Sequence, residues 1–213
     1  MSDKKTANTQ VKQVEQYFSA KPSSQDVRRT LRVNLRGHEV EVEASNGVFS
    51  GHRLDLGTSV LLRQAPQPPA GGVMLDLGCG WGPIALALGL ESPQADIWAV
   101  DVNERALELT QANAARLNIA GRIHAVKTDQ VPQDLRFDLI WSNPPIRVGK
   151  SELHSLLMTW LPRLNIGGRA YLVVQKNLGG DSLIAWLAQE LGDEYEVRKY
   201  ASSKGYRVIE VSR

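Results

Sequence analysis

Apolar and polar residues alternate along residues 29–43, and an Arg36-Gly37 pair interrupts the alternation near its middle. This period of two predicts a β-hairpin. Farther along, short apolar runs alternate with longer segments whose apolar residues recur at every third or fourth position. The short runs predict buried strands and the longer segments predict helices. The predicted strands cover residues 73–77, 97–100, 123–126, 137–142 and 170–174, and the predicted helices cover residues 59–65, 83–90, 104–117, 153–164 and 181–191.

Two more apolar runs close the chain, at residues 195–200 and 206–211, and a short polar turn separates them. They predict an antiparallel terminal hairpin. Because strands that alternate with helices build doubly wound sheets, the expected fold class is α/β, with a mostly parallel, seven-stranded, Rossmann-like sheet. We expect a disordered tail over residues 1–12, an N-terminal extension with the hairpin and a pocket loop over 13–70, and one sheet-forming domain over 71–213.

Polar residues stand where three of the predicted strands end. A glycine-rich turn at residues 78–82 follows the first strand, and such turns let the backbone approach a nucleotide-like ligand closely. Asp101 follows the second strand, where a carboxylate can accept both hydroxyls of a ribose. Asp129 follows the third strand, where it can accept a hydrogen bond from an adenine amino group. Dehydrogenases share the first two features, so these indicate a nucleotide ligand without identifying it.

The fourth strand end is more specific. Asn143, Pro144 and Pro145 follow it directly, and the prolines fix the backbone and remove two N–H donors. An exocyclic amine that is conjugated with a ring is a poor nucleophile. It improves when two acceptors hold its N–H groups and aim its lone pair, and the side-chain oxygen of Asn143 and the carbonyl of Pro144 can be those acceptors. The motif therefore predicts chemistry on an exocyclic amino nitrogen.

Together these residues resemble the class I S-adenosylmethionine (SAM)-dependent methyltransferases. More narrowly, the sequence resembles the methyltransferase small domain family, which includes ribosomal RNA guanine-N2 methyltransferases. The resemblance runs from about Tyr17 to the C-terminus, and its motifs stand at residues 47–50, 55–58, 75–83, 142–150 and 204–208.

The resemblance implies a role for each motif, with SAM as the cofactor of a SAM-binding catalytic domain over residues 71–213. Asn143, Pro144 and Pro145 are implied to orient the target amine. The implied cofactor-binding residues are Asp76, Gly78, Cys79, Gly80, Asp101, Val102, Asp129 and Asn143. The implied substrate-binding residues are Phe49, Asp55, Thr58, Ile146, Arg147 and Lys150.

One residue departs from the pattern of many amine methyltransferases. Those enzymes follow Asn-Pro-Pro with Phe or Tyr, which stacks on the target base, whereas this chain has Ile146. A flipped base would lose a stacking interaction worth about 1–3 kcal/mol unless Phe49 or Trp81 supplies it instead. The motif therefore indicates an amine more firmly than it indicates which base carries it.

Composition narrows the setting. A single cysteine, Cys79, excludes an internal disulfide, and with only four scattered histidines we expect no metal site. No apolar run reaches the roughly 18 residues of a membrane span, and the N-terminus lacks a secretory signal, so we expect a cytoplasmic protein without a membrane partner. Residues 1–37 carry eight Lys or Arg against three acids, and residues 196–213 carry five against two. Such basic ends favour an RNA partner.

The leading interpretation is thus a SAM-dependent N-methyltransferase of RNA, with guanine N2 in ribosomal RNA as its target. Its expected partner is ribosomal RNA or a ribosomal subunit, and its expected state is a monomer or a homodimer. Methylation of a protein glutamine or a DNA adenine is an alternative, because enzymes of both kinds use Asn-Pro-Pro. A non-catalytic protein that binds SAM or RNA is an alternative from another class.

Overall fold

The computed structural model describes residues 25–146 and 149–213. The predicted tail over residues 1–12, the start of the extension and Arg147 lie outside the described residues. The strands are β1 Arg28–Leu35, β2 His38–Ser45, β3 Gly71–Leu77, β4 Gln94–Val100, β5 Ile123–Val126, β6 Phe137–Ser142, β7 Leu164–Gln175, β8 Glu196–Ser203 and β9 Tyr206–Ser212. The α-helices are α1 Leu56–Gln64, α2 Pro83–Glu91, α3 Glu104–Arg116, α4 Lys150–Trp160 and α5 Gly180–Leu191.

The main sheet has seven strands in the order β5-β4-β3-β6-β7-β9-β8. Strand β3 pairs in parallel with both β4 and β6, and β9 alone reverses the direction between β7 and β8. Helices cover both faces, since one core cluster joins α1, α2 and α3 to the sheet and a second cluster joins α4 and α5 to it. Within residues 25–146 and 149–213, no helix has the length and apolar character needed to cross a bilayer.

The strand order reverses between β3 and β6, and this switch point fixes where a ligand can bind. Parallel strands on either side of such a point send their connections away in opposite directions, which opens a crevice at their carboxyl ends. The hydroxyl of Ser142, the last residue of β6, donates to the carbonyl of Leu77 at the end of β3, 2.7 Å away. This bond joins the two strand ends from which the site residues continue.

The predicted helix over residues 153–164 is wrong at its end. Helix α4 stops at Trp160, and Leu164 already belongs to β7, where it pairs with Phe137 of β6. The apolar spacing suits a helix through Leu164, but Pro162 has no N–H with which to continue the helical hydrogen bonds. Strand pairing therefore takes over at a position where the periodicity alone favours a helix.

The N-terminal hairpin is a separate two-stranded sheet that packs on the main domain. The side chains of Val33, Leu35, Val42 and Ala44 are buried in the same core cluster as α1, α2 and α3. The predicted division between an extension over residues 13–70 and a catalytic domain over 71–213 stays a prediction. The shared core means that the hairpin and the main sheet stabilise each other.

Arg36, in the turn of this hairpin, fastens it to two helix ends. Its guanidinium lies 2.6 Å from the carboxylate of Glu91, the last residue of α2, and both side chains are largely buried. It also donates to the carbonyls of Leu62 and Ala65 at the end of α1. A cation suits these positions because the last carbonyls of a helix have no partners within it.

Asn113, a buried residue of α3, makes a second connection. Its Oδ1 accepts from the N–H of Glu43 at 2.6 Å, and its Nδ2 donates to the carbonyls of Glu43 and Trp81, both at 2.9 Å. One amide thus links a helix, the hairpin and the glycine-rich turn. Each of the three backbone groups loses its partner if the amide is removed.

We expect Asn113→Ala to lower the free energy of unfolding by about 2–4 kcal/mol, because it leaves buried backbone groups without partners. Urea unfolding measures this loss. Gln111→Ala, at an exposed position of the same helix, is the matched control and should change stability by less than about 0.5 kcal/mol. Equal losses in the two variants would contradict the role given to the Asn113 amide.

Candidate active site at the carboxyl edge of the sheet

A cavity of about 510 Å³ opens at the carboxyl ends of β3, β4 and β6. This volume suits a ligand of drug or cofactor size. Seven of the residues predicted for the site line it: Phe49, Gly78, Gly80, Asp101, Val102, Asn143 and Pro145. Helix α4 lines the cavity as well, and it packs in the core cluster on the other face of the sheet from α1, α2 and α3.

The glycine-rich turn forms the floor of this cavity. Gly78 and Gly80 have positive φ angles of 80° and 57°, a backbone region that suits glycine. The N–H groups of Gly78 and Cys79 both donate to the carbonyl of Val100, which ties the turn to the end of β4. A β-carbon built on Gly78 meets no other atom within 4 Å, so the space above this turn is open.

Asp76 lies under the turn and is fully buried. Its Oδ2 accepts from the N–H of Ala85, 2.9 Å away, while its Oδ1 is buried and has no hydrogen-bond partner among the described residues. Burial, with a further contribution from the nearby Asp101 carboxylate, raises the pKa of Asp76 to about 8. At neutral pH the free protein therefore holds this carboxyl mainly in its protonated form.

Asp101 stands at the end of β4 with both oxygens directed by the backbone. Its Oδ2 accepts from the N–H of Gly80 and its Oδ1 from the N–H of Asn103, each at 2.9 Å. Burial raises the pKa of Asp101, and these backbone hydrogen bonds counteract part of that effect. The carboxylate keeps further acceptor positions that face the cavity, because each oxygen has more than one lone pair.

Asn103 was not among the predicted site residues. It caps α3, since its Oδ1 accepts from the N–H of Arg105, and its Nδ2 donates to the carbonyl of Gly47 at 2.7 Å. This second bond holds the loop that carries Phe49 against the cavity. The available signal was an Asn two residues after a strand-end acid, which is a typical N-cap position.

Two hydrogen bonds fix the orientation of the Asn143 amide. Its Nδ2 donates to Asp55 Oδ2 at 2.8 Å and to Thr58 Oγ1 at 3.0 Å. Both amide hydrogens are thereby engaged, which leaves the Oδ1 atom as the acceptor that this amide can offer to a ligand. Asp55 also caps α1, because the same Oδ2 accepts from the N–H of Thr58.

Thus Asp55 and Thr58, which the resemblance implies to bind substrate, lie against the Asn143 amide. Gly57, between them, is confined: a β-carbon there would lie 3.2 Å from Asn143 Oδ1 and 2.9 Å from a ring carbon of Tyr206. The absence of a side chain at Gly57 therefore keeps open the space next to the acceptor oxygen.

The remaining predicted residues lie at various depths around this centre. Pro144 is buried and Pro145 lines the main cavity. Ile146 packs partly buried against the core cluster that contains α4. Lys150, the first residue of α4, is exposed, and Arg147 lies outside the described residues.

On the cofactor side, Asp129 is exposed in a short 3-10 turn after β5, and its neighbour Thr128 is the residue that lines the cavity. Val102 is 39% exposed at the rim. The expectation that Trp81 could stack on a target base is wrong, because Trp81 is 1% exposed and its ring packs in the core.

Cys79 fits its expected place as a small residue of the turn. Its thiol is buried and accepts from the hydroxyl of Thr110 at 3.5 Å. Burial, with the Asp101 and Asp76 carboxyls adding to it, raises the pKa of Cys79. A thiol with a raised pKa is a poor nucleophile at neutral pH.

Helix α4 adds polar residues that the sequence reasoning did not identify. Ser151, Ser155 and Thr159 recur four residues apart and line the main cavity. This spacing places them on one face of the helix. The sequence feature that could have identified them is their recurrence at every fourth position, beside the apolar residues from which the helix was predicted.

Comparisons with known proteins place this site in context. The sequence profile of a family described as "Methyltransferase small domain" matches residues 39–210. A Bacillus subtilis protein described as uncharacterized, YbxB, is 35% identical over 202 residues, which cover 93% of this chain and 98% of that protein. Ribosomal RNA small subunit methyltransferase C of Shewanella amazonensis is 30% identical over 187 residues, which cover 85% of this chain and 54% of that protein.

Among solved structures, the T. thermophilus 16S rRNA N2 methyltransferase RsmC, in complex with AdoMet and guanosine, is similar with a TM-score of 0.72 and 22% identity. The match covers 90% of this chain and 52% of that one. This chain therefore spans about half, or less, of the length of the RNA methyltransferases that it matches. The predicted doubly wound, Rossmann-like methyltransferase fold is confirmed by this match and by the strand order. Because the family profile covers most of its length, the chain belongs to the methyltransferase small domain family.

Proposed function

We propose that this protein is a SAM-dependent methyltransferase that acts on an exocyclic amino nitrogen, guanine N2 of ribosomal RNA. The observation that carries the proposal is the Asn143 amide. Asp55 and Thr58 hold its two hydrogens, so its oxygen is left as an acceptor with a fixed direction, on a residue that lines a cavity of cofactor size.

The residues around the cavity fit SAM. The open space above Gly78 suits the close approach of a ligand, and Asp101 suits a ribose. Asp76 Oδ1 is a buried acceptor without a partner among the described residues, and an amino group of the methionine part would supply one. When bound, SAM supplies a methyl group on a sulfonium, which is already a good leaving group.

The protein's contribution is then mainly the position of the amine. Asn143 Oδ1 and the carbonyl of Pro144 accept the two N–H groups, so the lone pair of the nitrogen points into the cavity. Positioning of this kind converts an encounter between two molecules into a reaction within one complex, and misplacement by about 1 Å can cost about 100-fold in rate. Asp55 and Thr58 act through Asn143 and are positioning residues.

Two comparisons support ribosomal RNA as the substrate. Several relatives are described as ribosomal RNA small subunit methyltransferase C, and the T. thermophilus structure is a complex with AdoMet and guanosine. A base within folded RNA would have to leave its stack to reach Asn143. Exposed cations near the site, such as Lys150, Lys176 and Lys204, suit the phosphates that come with it.

We expect Asn143→Ala to lower kcat for methyl transfer by about 100-fold or more, because the amine loses the acceptor that directs its lone pair. Calorimetry should show that SAM still binds with an affinity close to that of the wild type. Asn165→Ala is the control, since Asn165 hydrogen-bonds Asp138 at the opposite edge of the sheet. Full activity of Asn143→Ala would contradict the role of the amide.

The raised pKa of Asp76 predicts how the stability of the protein depends on pH. Its folded pKa of about 8 lies above its ordinary value of 3.8, so the folded chain binds the proton more tightly than the unfolded chain. The contribution of the protonated carboxyl to the free energy of unfolding is fully present below about pH 4 and is lost as the pH rises through about 8. Asp76→Asn has no carboxyl at this position and lacks this dependence. From pH 4 to pH 9, the free energy of unfolding of the variant should therefore rise by about 3–5 kcal/mol relative to that of the wild type.

Denaturant unfolding at the two pH values measures that difference, and the exposed Asp96→Asn is the control. The same Asp76→Asn variant should bind SAM more weakly, because a cationic amino group next to Oδ1 would favour the carboxylate form of Asp76, and Asn cannot ionise. A variant with the wild-type pH profile would contradict the buried, protonated state of Asp76.

Labelled-methyl transfer tests the proposed function itself. SAM with a tritiated methyl group is incubated with the protein and with unmodified small-subunit ribosomal RNA, assembled subunits, DNA or a protein extract. Label is expected in RNA, in a nucleoside that chromatography identifies as N2-methylguanosine. Label in DNA adenine or protein glutamine would mean that the substrate is DNA or protein instead of RNA. Binding of SAM without methyl transfer to any of the four substrates would contradict the proposed activity.

A further inference from the structure

Tyr206 lies at the same edge of the sheet as Asn143, although none of the roles described so far involves it. It is the first residue of β9 and pairs with Gln175, the last residue of β7. Strand β7 is parallel to β6, so the end of β7 lies beside the segment that follows Ser142. The short turn between β8 and β9 therefore faces the site.

The ring of Tyr206 lies close to the acceptor oxygen. A β-carbon on Gly57 would lie 2.9 Å from Tyr206 Cε1 and 3.2 Å from Asn143 Oδ1. Since both atoms lie about 3 Å from one point, they are at most about 6 Å apart. This separation places the ring within contact distance of a planar group whose amine bonds to Asn143.

Other nearby side chains fit this role less well. Trp81 is buried in the core, and Ile146 is aliphatic and packs against the cluster on the opposite face of the sheet. Phe49 lines the main cavity together with the glycine turn and also borders a small space beside Asp55, Thr58 and Asn143, so it can contact a bound base as well. The ring of Tyr206 is the aromatic group that lies against Gly57, next to Asn143 Oδ1.

The surrounding backbone holds Tyr206 in a defined place. The turn before it is made by Lys204 and Gly205, both with positive φ angles, 49° and 80°. Such two-residue turns match the twist of paired strands, although a non-glycine residue in this conformation is uncommon. The carbonyl of Gly205 accepts from the N–H of Lys176 at 2.9 Å, which fastens the turn to the end of β7.

We propose that Tyr206 is the aromatic wall of the target-base subsite and contacts the ring of the base whose amine Asn143 holds. The proposal rests on the proposed function, because it assumes that the target amine belongs to a nucleobase. Gly57 has no side chain, so no β-carbon lies between the ring of Tyr206 and the acceptor oxygen. Tyr206 thereby supplies from strand β9 the stacking surface that the residue after Asn-Pro-Pro does not provide.

The charges beside Tyr206 agree with a base that belongs to a nucleic acid. Lys176 and Lys204 are exposed on either side of the hydrogen bond that closes the turn. Arg207, the next residue, is paired with Asp181 at 2.9 Å. A base that enters with its phosphates would thus contact the ring of Tyr206, while the lysines attract the phosphates.

Kinetics of methyl transfer to unmodified small-subunit ribosomal RNA tests the proposal. Tyr206→Leu should lower kcat/KM for the RNA by roughly 5- to 150-fold, the range of a lost base–aromatic contact. Tyr206→Phe keeps the ring and should stay within about 2-fold of the wild type. Tyr200→Leu, at an exposed tyrosine of β8, is the matched control and should leave kcat/KM unchanged.

The affinity for SAM, measured by calorimetry, should be the same in all variants. Equal kcat/KM values for Tyr206→Leu and Tyr200→Leu would overturn the proposal while leaving the proposed function in place. A wild-type protein that methylates no RNA would overturn both.

A second measurement does not depend on the folding of Tyr206→Leu. Ultraviolet cross-linking of the wild-type protein to the same RNA, followed by peptide mapping, should recover the peptide that contains Tyr206. Cross-links confined to peptides without Tyr206 would contradict the proposed contact.

Discussion

The parallel pairing of β3 with both β4 and β6 is the constraint on which the site depends. Parallel strands end at the same edge of a sheet, so residues far apart in sequence meet there without long loops. Asp76 and the glycine turn come from β3, Asp101 from β4 and Asn143 from β6. The crevice exists because the connections leave β3 and β6 towards opposite faces. The two core clusters then fix the helices that form its walls.

The residues that orient Asn143 come from the part of the chain that precedes the main sheet. Asp55 and Thr58 lie at the start of α1, and they engage the Nδ2 atom of Asn143, which leaves Oδ1 as the acceptor. An amide held in this way needs no reorganisation when an amine arrives, which is the physical meaning of a preorganised site. Helix α1 is itself held at its far end by Arg36 of the hairpin. The N-terminal residues thus contribute to the geometry of the amine acceptor as well as to the core.

The elements that the sequence predicted well share one property: they depend on short-range patterns. The glycine turn, Asp101 and Asn143 could be placed because each follows an apolar run, and strand ends meet in a parallel sheet. The end of α4 was predicted wrongly because strand pairing at Leu164 outweighs a periodicity that favours a helix. The engagement of Asn143 by Asp55 could not be predicted at all, since it depends on how α1 packs against the sheet. Sequence patterns therefore indicate which residues reach the site better than they indicate what those residues contact.

The two hydrogen bonds that orient the Asn143 amide join residues 88 and 85 positions apart in the chain. Contacts of such long sequence separation close large loops, and the chain entropy lost in closing them has to be offset by packing elsewhere. The hairpin and α1 precede β6 in the chain, so the amide of Asn143 is oriented only where α1 is packed against the sheet. A chain in which α1 is detached can keep its glycine turn but has no directed acceptor for an amine. The chemistry of the site is thereby tied to the packing of α1 on the sheet.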